Sequence, residues 1–214
     1  MSVALSYFEQ LYAEDQDPWR LGERWYEQRK RDLSVASLPL PRYRSCFELG
    51  CANGDLTSQL AARCARLLAV DAIAAPLERA RRRLAGHPLA RVELRRLPSE
   101  WPEERFDLIV ASEFLYYFSA AELARLITQL KLSLEPGATL LAVHWRHPVA
   151  EYPLSGDAVH QALRAEPGLA LLAEHREEDF LLDVLVRHDP GSPPQSVARA
   201  TKVPGARLRQ GAAG

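Results

Sequence analysis

The sequence has few features that would direct a protein to a membrane, the cell exterior or a nucleic acid. Its 214 residues include only three cysteines, and 27 basic side chains stand against 28 acidic ones, for a formal net charge of −1. Cys46, Cys51 and Cys64 are odd in number and lack paired metal-ligand spacing, which points to a reducing compartment. The near-zero charge gives no general attraction to nucleic acid or anionic lipid.

Long apolar runs and targeting signals are also missing. No run approaches the roughly 18 apolar residues that cross a bilayer, and the start MSVALSYFEQLYAEDQDPW lacks the basic and apolar parts of a signal peptide. We therefore expect a cytoplasmic protein without a membrane partner. At 47% hydrophobic, the chain can bury the core of a single domain.

Apolar runs alternate with helical patterns along most of the chain. Five runs predict strands, in the order SCFEL, RLLAVD, ARVELR, FDLIVAS and ATLLAVHW. The segments LTSQLAARCA, APLERARRRLAG and SAAELARLITQLKLSL predict the helices between them. This alternation predicts an α/β fold, a mostly parallel sheet with helices on both faces.

Two further apolar runs, LALLAEHR and FLLDVLVRH, are separated by only a few residues around EED. That link is too short for a helical crossover, so the seven-stranded sheet should end in an antiparallel hairpin. Residues 1–39 are predicted to be two helical pieces, 40–188 the α/β domain, and 189–214 a flexible tail rich in Pro, Gly, Ala and Arg.

The segment FELGCANGD follows the first predicted strand, where ligands bind in parallel sheets. Gly50 permits a positive φ and a close backbone approach, and Gly54 frees the start of the next helix. Asp71 ends the second strand about 20 residues after Gly50, where an acid accepts both hydroxyls of a ribose. We therefore expect a nucleoside-containing cofactor.

The acidic character of this loop distinguishes between two cofactors. A dinucleotide fingerprint needs further glycines where Ala52 and Asp55 stand, and Asp55 would repel a pyrophosphate at the helix N-terminus. S-adenosylmethionine has no phosphate and carries a sulfonium and an ammonium. The loop therefore favours S-adenosylmethionine over NAD.

Longer segments resemble a known superfamily. FELGCANGDLTSQLAARCARLLAVD, RFDLIVASEFLYYF and LEPGATLLAVHW resemble motif regions of the class I S-adenosylmethionine-dependent methyltransferases. DPWRLGERWYEQRKRD, LGCANGDLT and HWRHPVAEYPLSGDAVH resemble its nodulation protein S (NodS-like) branch. The resemblance implies a Rossmann-like fold, S-adenosylmethionine as cofactor, and N-methylation of a deacetylated chitooligosaccharide.

The predicted cofactor contacts follow the strand ends. Many superfamily members carry an acid after the third strand, whereas this chain reads RRLPSEWP, so adenine should meet Leu97 and Pro98. Arg29, on the helix before the first strand, could pair with the methionyl carboxylate. The remaining cofactor contacts are expected from residues at the strand ends, namely Glu48, Gly50, Cys51, Ala52, Gly54, Asp71, Ala72, Ser112 and Phe114.

Glu113 and His144 are the candidate catalytic residues. Glu113 follows the fourth strand and could orient an acceptor or take its proton. His144 ends the fifth strand, where a histidine of near-neutral pKa could serve as base. A metal site with His147 lacks a third ligand at fixed spacing, so no metal is expected.

The acceptor contacts are predicted around the same rim. The helix before the first strand is expected to fold over the cofactor as a lid. The candidate contacts are Tyr26, Tyr117, Trp145 and Asp157. An amine of an amino sugar, an oligosaccharide or another small molecule is the preferred acceptor. The alternatives are an O-methyltransferase acting on a small molecule, an NAD-dependent oxidoreductase and a binding module without turnover.

Overall fold

A computed structural model describes residues 1–189 and 195–206. The helices are α1 Leu5–Glu14, α2 Trp25–Ala36, α3 Asp55–Ala61, α4 Ala74–Arg83, α5 Ala120–Ser133, α6 Gly156–Ala165 and α7 Val197–Ala200. The strands are β1 Tyr43–Leu49, β2 Cys64–Asp71, β3 Ala90–Leu94, β4 Phe106–Ser112, β5 Leu134–Trp145, β6 Leu169–Arg176 and β7 Phe180–Arg187. A 3₁₀ turn, Leu115–Tyr117, follows β4.

The seven strands form one sheet in the order β3-β2-β1-β4-β5-β7-β6. The first five strands are parallel, and β7 pairs antiparallel with both β5 and β6. Leu49 of β1 aligns with Val70 of β2 and Ala111 of β4, which brings three carboxyl ends to one edge. This topology confirms the predicted Rossmann-like class I methyltransferase fold.

Helices cover both faces of the sheet because the strands are apolar on both sides. Leu126 of α5 and Val159 of α6 are fully buried in one layer. Leu60 of α3 and Leu77 of α4 are buried in the other layer. Burying side chains of this size contributes about 1.5–3 kcal/mol each.

The third helix is shorter than its sequence predicts. LTSQLAARCA reads as one helical segment, yet α3 ends at Ala61 and β2 begins at Cys64. The amide of Tyr43 donates to the Arg63 carbonyl at 2.8 Å, and Cys64 pairs with Tyr43 in the sheet. Pairing with β1 therefore ends the helix early, since ladder contacts outweigh local helix propensity.

Half of the predicted tail 189–214 lies outside the described residues. Its described part, residues 189 and 195–206, contains the four-residue helix α7. Across residues 1–189 and 195–206, we find no helix with the length and apolar character needed to cross a membrane.

Candidate functional site

A cavity of about 730 Å³ opens at the carboxyl edge of the sheet. Segments that follow β1, β2 and β4 form one side of it, and residues of α1 and α2 form the other. Most of the residues predicted to contact the cofactor or the acceptor line this cavity. These are Tyr26, Glu48, Gly50, Cys51, Ala52, Asp71, Ala72, Leu97, Pro98, Ser112, Glu113, Phe114, Tyr117 and Trp145.

The loop after β1 is held by Asp71. One carboxylate oxygen of Asp71 accepts from the Ala52 amide and the other from the Ile73 amide, both at 2.9 Å. Gly50 has φ +70°, and a Cβ added there would lie 2.7 Å from the Phe114 ring. Burial raises the pKa of Asp71 despite these amide bonds. The loop is thus preorganised around a carboxylate on the cavity wall.

Gly54 has a packing role instead of the predicted cofactor contact. It is absent from the cavity wall, and a Cβ there would lie 2.8 Å from the Ala80 Cα. Gly54 therefore lets α3 approach α4. Asp55 does reach the cavity wall, but it pairs with Arg83 at 3.1 Å. The repulsion that Asp55 would exert on a phosphate is accordingly smaller than the sequence implies.

Glu48 is a buried acid with spare hydrogen-bonding capacity. Its side chain lines the cavity, the residue is 2% exposed, and Oε2 has no partner among the described residues. Burial raises the pKa of Glu48 to about 8, and the negative charge of Asp71 adds to this effect. An unpartnered acid oxygen of this kind fits a cationic ligand group, because a cation would compensate its ionised form.

Glu113 is fixed by contacts to both of its carboxylate oxygens. Oε1 lies 2.7 Å from the Lys30 ammonium, and Oε2 accepts from the Tyr116 hydroxyl and, at 3.0 Å, from the Trp145 amide. The backbone of Glu113 is left-handed, with φ +52°. A side chain held by three donors in a sparsely populated conformation is strongly determined by its surroundings.

Sequence reasoning missed Lys30 and Glu27, which complete this wall. Lys30 is 5% exposed, and its ammonium lies 3.0 Å from Glu27 and 5.0 Å from the centre of the Tyr26 ring. Glu27 and Lys30 are three residues apart on α2, a spacing at which helical side chains meet. That spacing next to an aromatic residue is the signal that could have identified the pair.

The structure contradicts the prediction that His144 acts as a base. His144 is fully buried and away from the cavity wall. Its Nε2 accepts from the Leu115 amide at 3.2 Å, and its Nδ1 lies 3.1 Å from His160 Nε2. Burial lowers the pKa of His144 well below its usual range. His160 Nδ1 lies 2.8 Å from Asp183, so the three side chains form a buried polar chain behind the site.

Two further predictions are wrong because the side chains are engaged elsewhere. Arg29 forms two hydrogen bonds to Glu177, at 2.9 and 2.6 Å, and is not on the cavity wall. Asp157 accepts two bonds from Arg146, at 3.0 and 3.1 Å, also away from the cavity. Arg31 lines the cavity instead, and its buried Nε has no partner among the described residues.

Within residues 1–189 and 195–206, no group of three or more His, Cys, Asp or Glu side chains is placed to hold a metal ion. The cavity thus has two parts. One is the glycine loop with Glu48 and Asp71, and the other, called the acceptor wall below, is formed by Tyr26, Glu27, Lys30 and Glu113.

The sequence is similar to proteins of one known family. The sequence profile of the family described as Nodulation protein S (NodS) matches residues 8–151. Nodulation protein S of Rhizobium tropici is 34% identical over 127 residues, which are 58% of this chain and 53% of that protein. The Bradyrhizobium diazoefficiens protein is 34% identical over 138 residues, 58% of this chain and 61% of its own. The chain thus spans only half to three fifths of these curated relatives.

Two crystal structures resemble most of this chain. A protein of Pseudomonas syringae assigned as a methyltransferase is 49% identical, with a TM-score of 0.68, and the match covers 77% of this chain and all of that one. The N-methyltransferase NodS of Bradyrhizobium japonicum WM9, in complex with S-adenosyl-L-homocysteine, is 25% identical with a TM-score of 0.77. That match covers 86% of this chain and 98% of the other.

Proposed function

Because the chain belongs to the NodS family of S-adenosylmethionine-dependent methyltransferases, we propose that it transfers a methyl group to the nitrogen of a small amine-bearing acceptor. An amino sugar, free or at the end of an oligosaccharide, is the preferred acceptor. The NodS structure that resembles this chain is named as an N-methyltransferase and contains S-adenosyl-L-homocysteine.

The glycine-loop end of the cavity suits S-adenosylmethionine. Asp71, Leu97 and Pro98 line the cavity. Asp71 would accept from the ribose hydroxyls, and Leu97 and Pro98 would supply apolar surface for adenine. Glu48 Oε2 and Arg31 Nε, which have no partner in the part of the chain that the structure describes, would match the ammonium and carboxylate of an amino-acid group. When bound, this cofactor supplies a methyl group activated by a positively charged sulfur.

The net negative charge of Glu27, Lys30 and Glu113 is the observation that favours an amine acceptor. Glu27 and Glu113 both face the cavity there, and Lys30 lies between them, within 3.0 Å of each. Two carboxylates against one ammonium leave a formal charge of −1 in a poorly hydrated wall. Such a wall favours a cationic ammonium group and gives no comparable advantage to a neutral hydroxyl.

The size of the cavity favours a small acceptor group. A volume of about 730 Å³ lies in the range of sites that enclose a drug-sized ligand, and the cofactor is itself of that size. A bound cofactor would fill much of this volume, so the space beside it would admit only one small molecule or one terminal sugar. Much of the rate would then come from aligning the nitrogen with the methyl carbon and the sulfur.

We further propose that residues 1–39 act as the lid of this cavity. The Val3 amide donates to the Tyr117 carbonyl at 2.8 Å, which ties the N-terminal segment to the acceptor side. On α2, Lys30 makes a second tie through its ion pair with Glu113. A closed lid would exclude water and strengthen the charge interactions inside.

The test is incubation of the purified protein with S-adenosylmethionine labelled in the methyl group. The acceptors are glucosamine, deacetylated chitooligosaccharides, other small amines, and matched compounds with a hydroxyl in place of the amine. We expect label on nitrogen and none on the hydroxyl analogues. Label on oxygen alone would replace the proposal with O-methylation, and cofactor binding without transfer to any compound would contradict it. A thermal-shift comparison with NAD excludes the oxidoreductase if only S-adenosylmethionine stabilises the protein.

A further inference from the structure

The two carboxylates of the acceptor wall differ in how fully they are engaged. Glu113 has both oxygens occupied by three donors, from Lys30, Tyr116 and Trp145. A proton taken up by Glu113 would have to displace one of these contacts. Its geometry is therefore that of a residue that positions its neighbours.

Glu27 is buried to a similar degree but has only one partner among the described residues. Its side chain is 12% exposed, and its two oxygens lie 3.3 and 3.0 Å from the Lys30 ammonium. An ionised carboxylate can accept about four hydrogen bonds, so most of the capacity of Glu27 is free. Because Glu27 lines the cavity, this free capacity is available to a ligand.

Lys30 is held as a cation and is unsuited to accept a proton. Burial lowers the pKa of Lys30, but the carboxylates of Glu113 and Glu27 outweigh burial and raise it above the ordinary value. Lys30 also fixes the carboxylate of Glu27 at the cavity surface through its contacts of 3.0 and 3.3 Å.

The residue next to Glu27, Tyr26, also has unused hydrogen-bonding capacity. The Tyr26 hydroxyl is buried and unpartnered among the described residues, and Tyr26 lines the same cavity. Buried tyrosine hydroxyls usually find a hydrogen-bond partner. A carboxylate with spare hydrogen-bonding capacity and a phenol without a partner among the described residues thus line the cavity on consecutive residues of α2.

We propose that Glu27 is the residue that binds the acceptor ammonium and takes its proton, with the Tyr26 hydroxyl as a second contact, whereas Glu113 positions Lys30 and the 3₁₀ turn. This inference rests on the proposed amine N-methylation. It moves the acid–base role from the strand edge to the lid helix.

Glu27 takes one proton from the acceptor ammonium, which leaves a neutral amine with a lone pair. The bond from nitrogen to the methyl carbon forms as the carbon–sulfur bond breaks, and its electron pair leaves on the now neutral sulfur. The secondary ammonium product departs, and Glu27 returns its proton to water.

The experiment compares wild type, Glu27→Gln and the matched control Glu23→Gln, whose side chain is 72% exposed and lies just before the same helix. With an aliphatic amine near neutral pH, we expect kcat/KM of Glu27→Gln to fall by about 10²–10⁴-fold, the range for general acid–base groups. Cofactor affinity should stay within about twofold of wild type, since Glu27 is assigned only to the acceptor. Glu23→Gln should match wild type in both.

The pH profile separates a proton acceptor from a structural residue. In Glu27→Gln, kcat/KM should rise about tenfold per pH unit until the free amine predominates, because solution must then remove the proton. A weakly basic amine of similar size, already neutral at pH 7, should lose far less from the substitution. Glu27→Asp, which keeps the charge opposite Lys30, should retain the fold and an intermediate rate.

Wild-type rates and an unchanged pH profile in Glu27→Gln would overturn the assignment while leaving N-methylation intact. An equal loss with the weakly basic and the aliphatic amine would also overturn it, since the defect would not concern a proton. If the wild type methylates no amine, the proposed function itself fails. The wild-type control thus separates the two failures.

Discussion

Replacing Glu48 with glutamine should make the protein more stable at mildly alkaline pH. Glu48 is 2% exposed, one of its oxygens has no partner among the described residues, and burial raises its pKa to about 8 from an ordinary 4.5. The amide of glutamine has nearly the same shape and carries no charge at any of these pH values. The substitution therefore removes the cost of ionising a buried acid and keeps the packing.

The sign and size of the effect follow from proton linkage. Between pH 4.5 and about 8, the folded protein holds the proton of Glu48, whereas the unfolded chain releases it. The contribution of Glu48 to the free energy of unfolding is fully present below pH 4.5 and is lost as the pH rises through about 8. Each pH unit in that window costs about 1.4 kcal/mol, so the whole window amounts to roughly 5 kcal/mol.

The assay is urea unfolding of both proteins from about pH 5 to pH 8.5, analysed by linear extrapolation. We expect the free energy of unfolding of Glu48→Gln, relative to wild type, to rise by about 1.4 kcal/mol per pH unit. Glu9→Gln, on an exposed part of α1, is the matched control and should follow wild type. A difference between Glu48→Gln and wild type that stays constant with pH would refute the reasoning.

Three other substitutions test the loop and the buried chain. Gly50→Ala should abolish measurable cofactor binding in calorimetry, because the backbone there has φ +70° and the added Cβ would lie 2.7 Å from the Phe114 ring. The control is Gly137→Ala, at φ +80° with no atom within 4 Å of the added Cβ, which should cost only about 1–2 kcal/mol of stability. Asp71→Asn should weaken cofactor binding by about 10–100-fold through a lost charged hydrogen-bond acceptor, and an affinity equal to wild type would remove Asp71 from the site. Asp183→Asn should lower the free energy of unfolding by about 1.5–3 kcal/mol, since the buried Asp183 carboxylate accepts two hydrogen bonds from Arg164, at 2.7 and 2.6 Å. Asp179→Asn, whose side chain is 44% exposed, should change it by less than about 1 kcal/mol.

The fold was predictable because its signals are local and consistent with one another. Each strand is an apolar run bounded by turn residues, and the short link before Phe180 permits only an antiparallel return. The positions of Gly50, Asp71 and Glu113 were predictable for a related reason. Parallel strands bring their carboxyl ends to one edge, so residues that follow different strands meet there.

The side chains of α2 were not predictable in the same way. Arg29, Lys30 and Arg31 are consecutive charged residues, and the helix carries charges on every face. Which of them reaches the cavity depends on how α2 docks against the sheet, which the local pattern does not encode. Arg29 consequently meets Glu177 of the C-terminal hairpin, whereas Arg31 lines the cavity.

His144 was misassigned although its direction could have been read from the strand. Alternate residues of a strand face the same side, and Leu140 and Ala142 pack in the layer that contains α6. His144 continues that series and meets His160 of α6. The alternation of side chains along β5 was therefore the available signal. The position of His144 near the end of the strand led to the wrong prediction.

The position of β7 has a consequence for the way the chain folds during synthesis. Because β7 lies between β5 and β6, the sheet cannot close until residues 180–187 have left the ribosome. Until then, β5 presents an open edge whose unpaired amides and carbonyls are available to other chains. A chain cut just before Phe180 would retain every predicted cofactor contact, yet we expect it to aggregate. Soluble expression of truncations on either side of β7 would measure how much depends on this last strand.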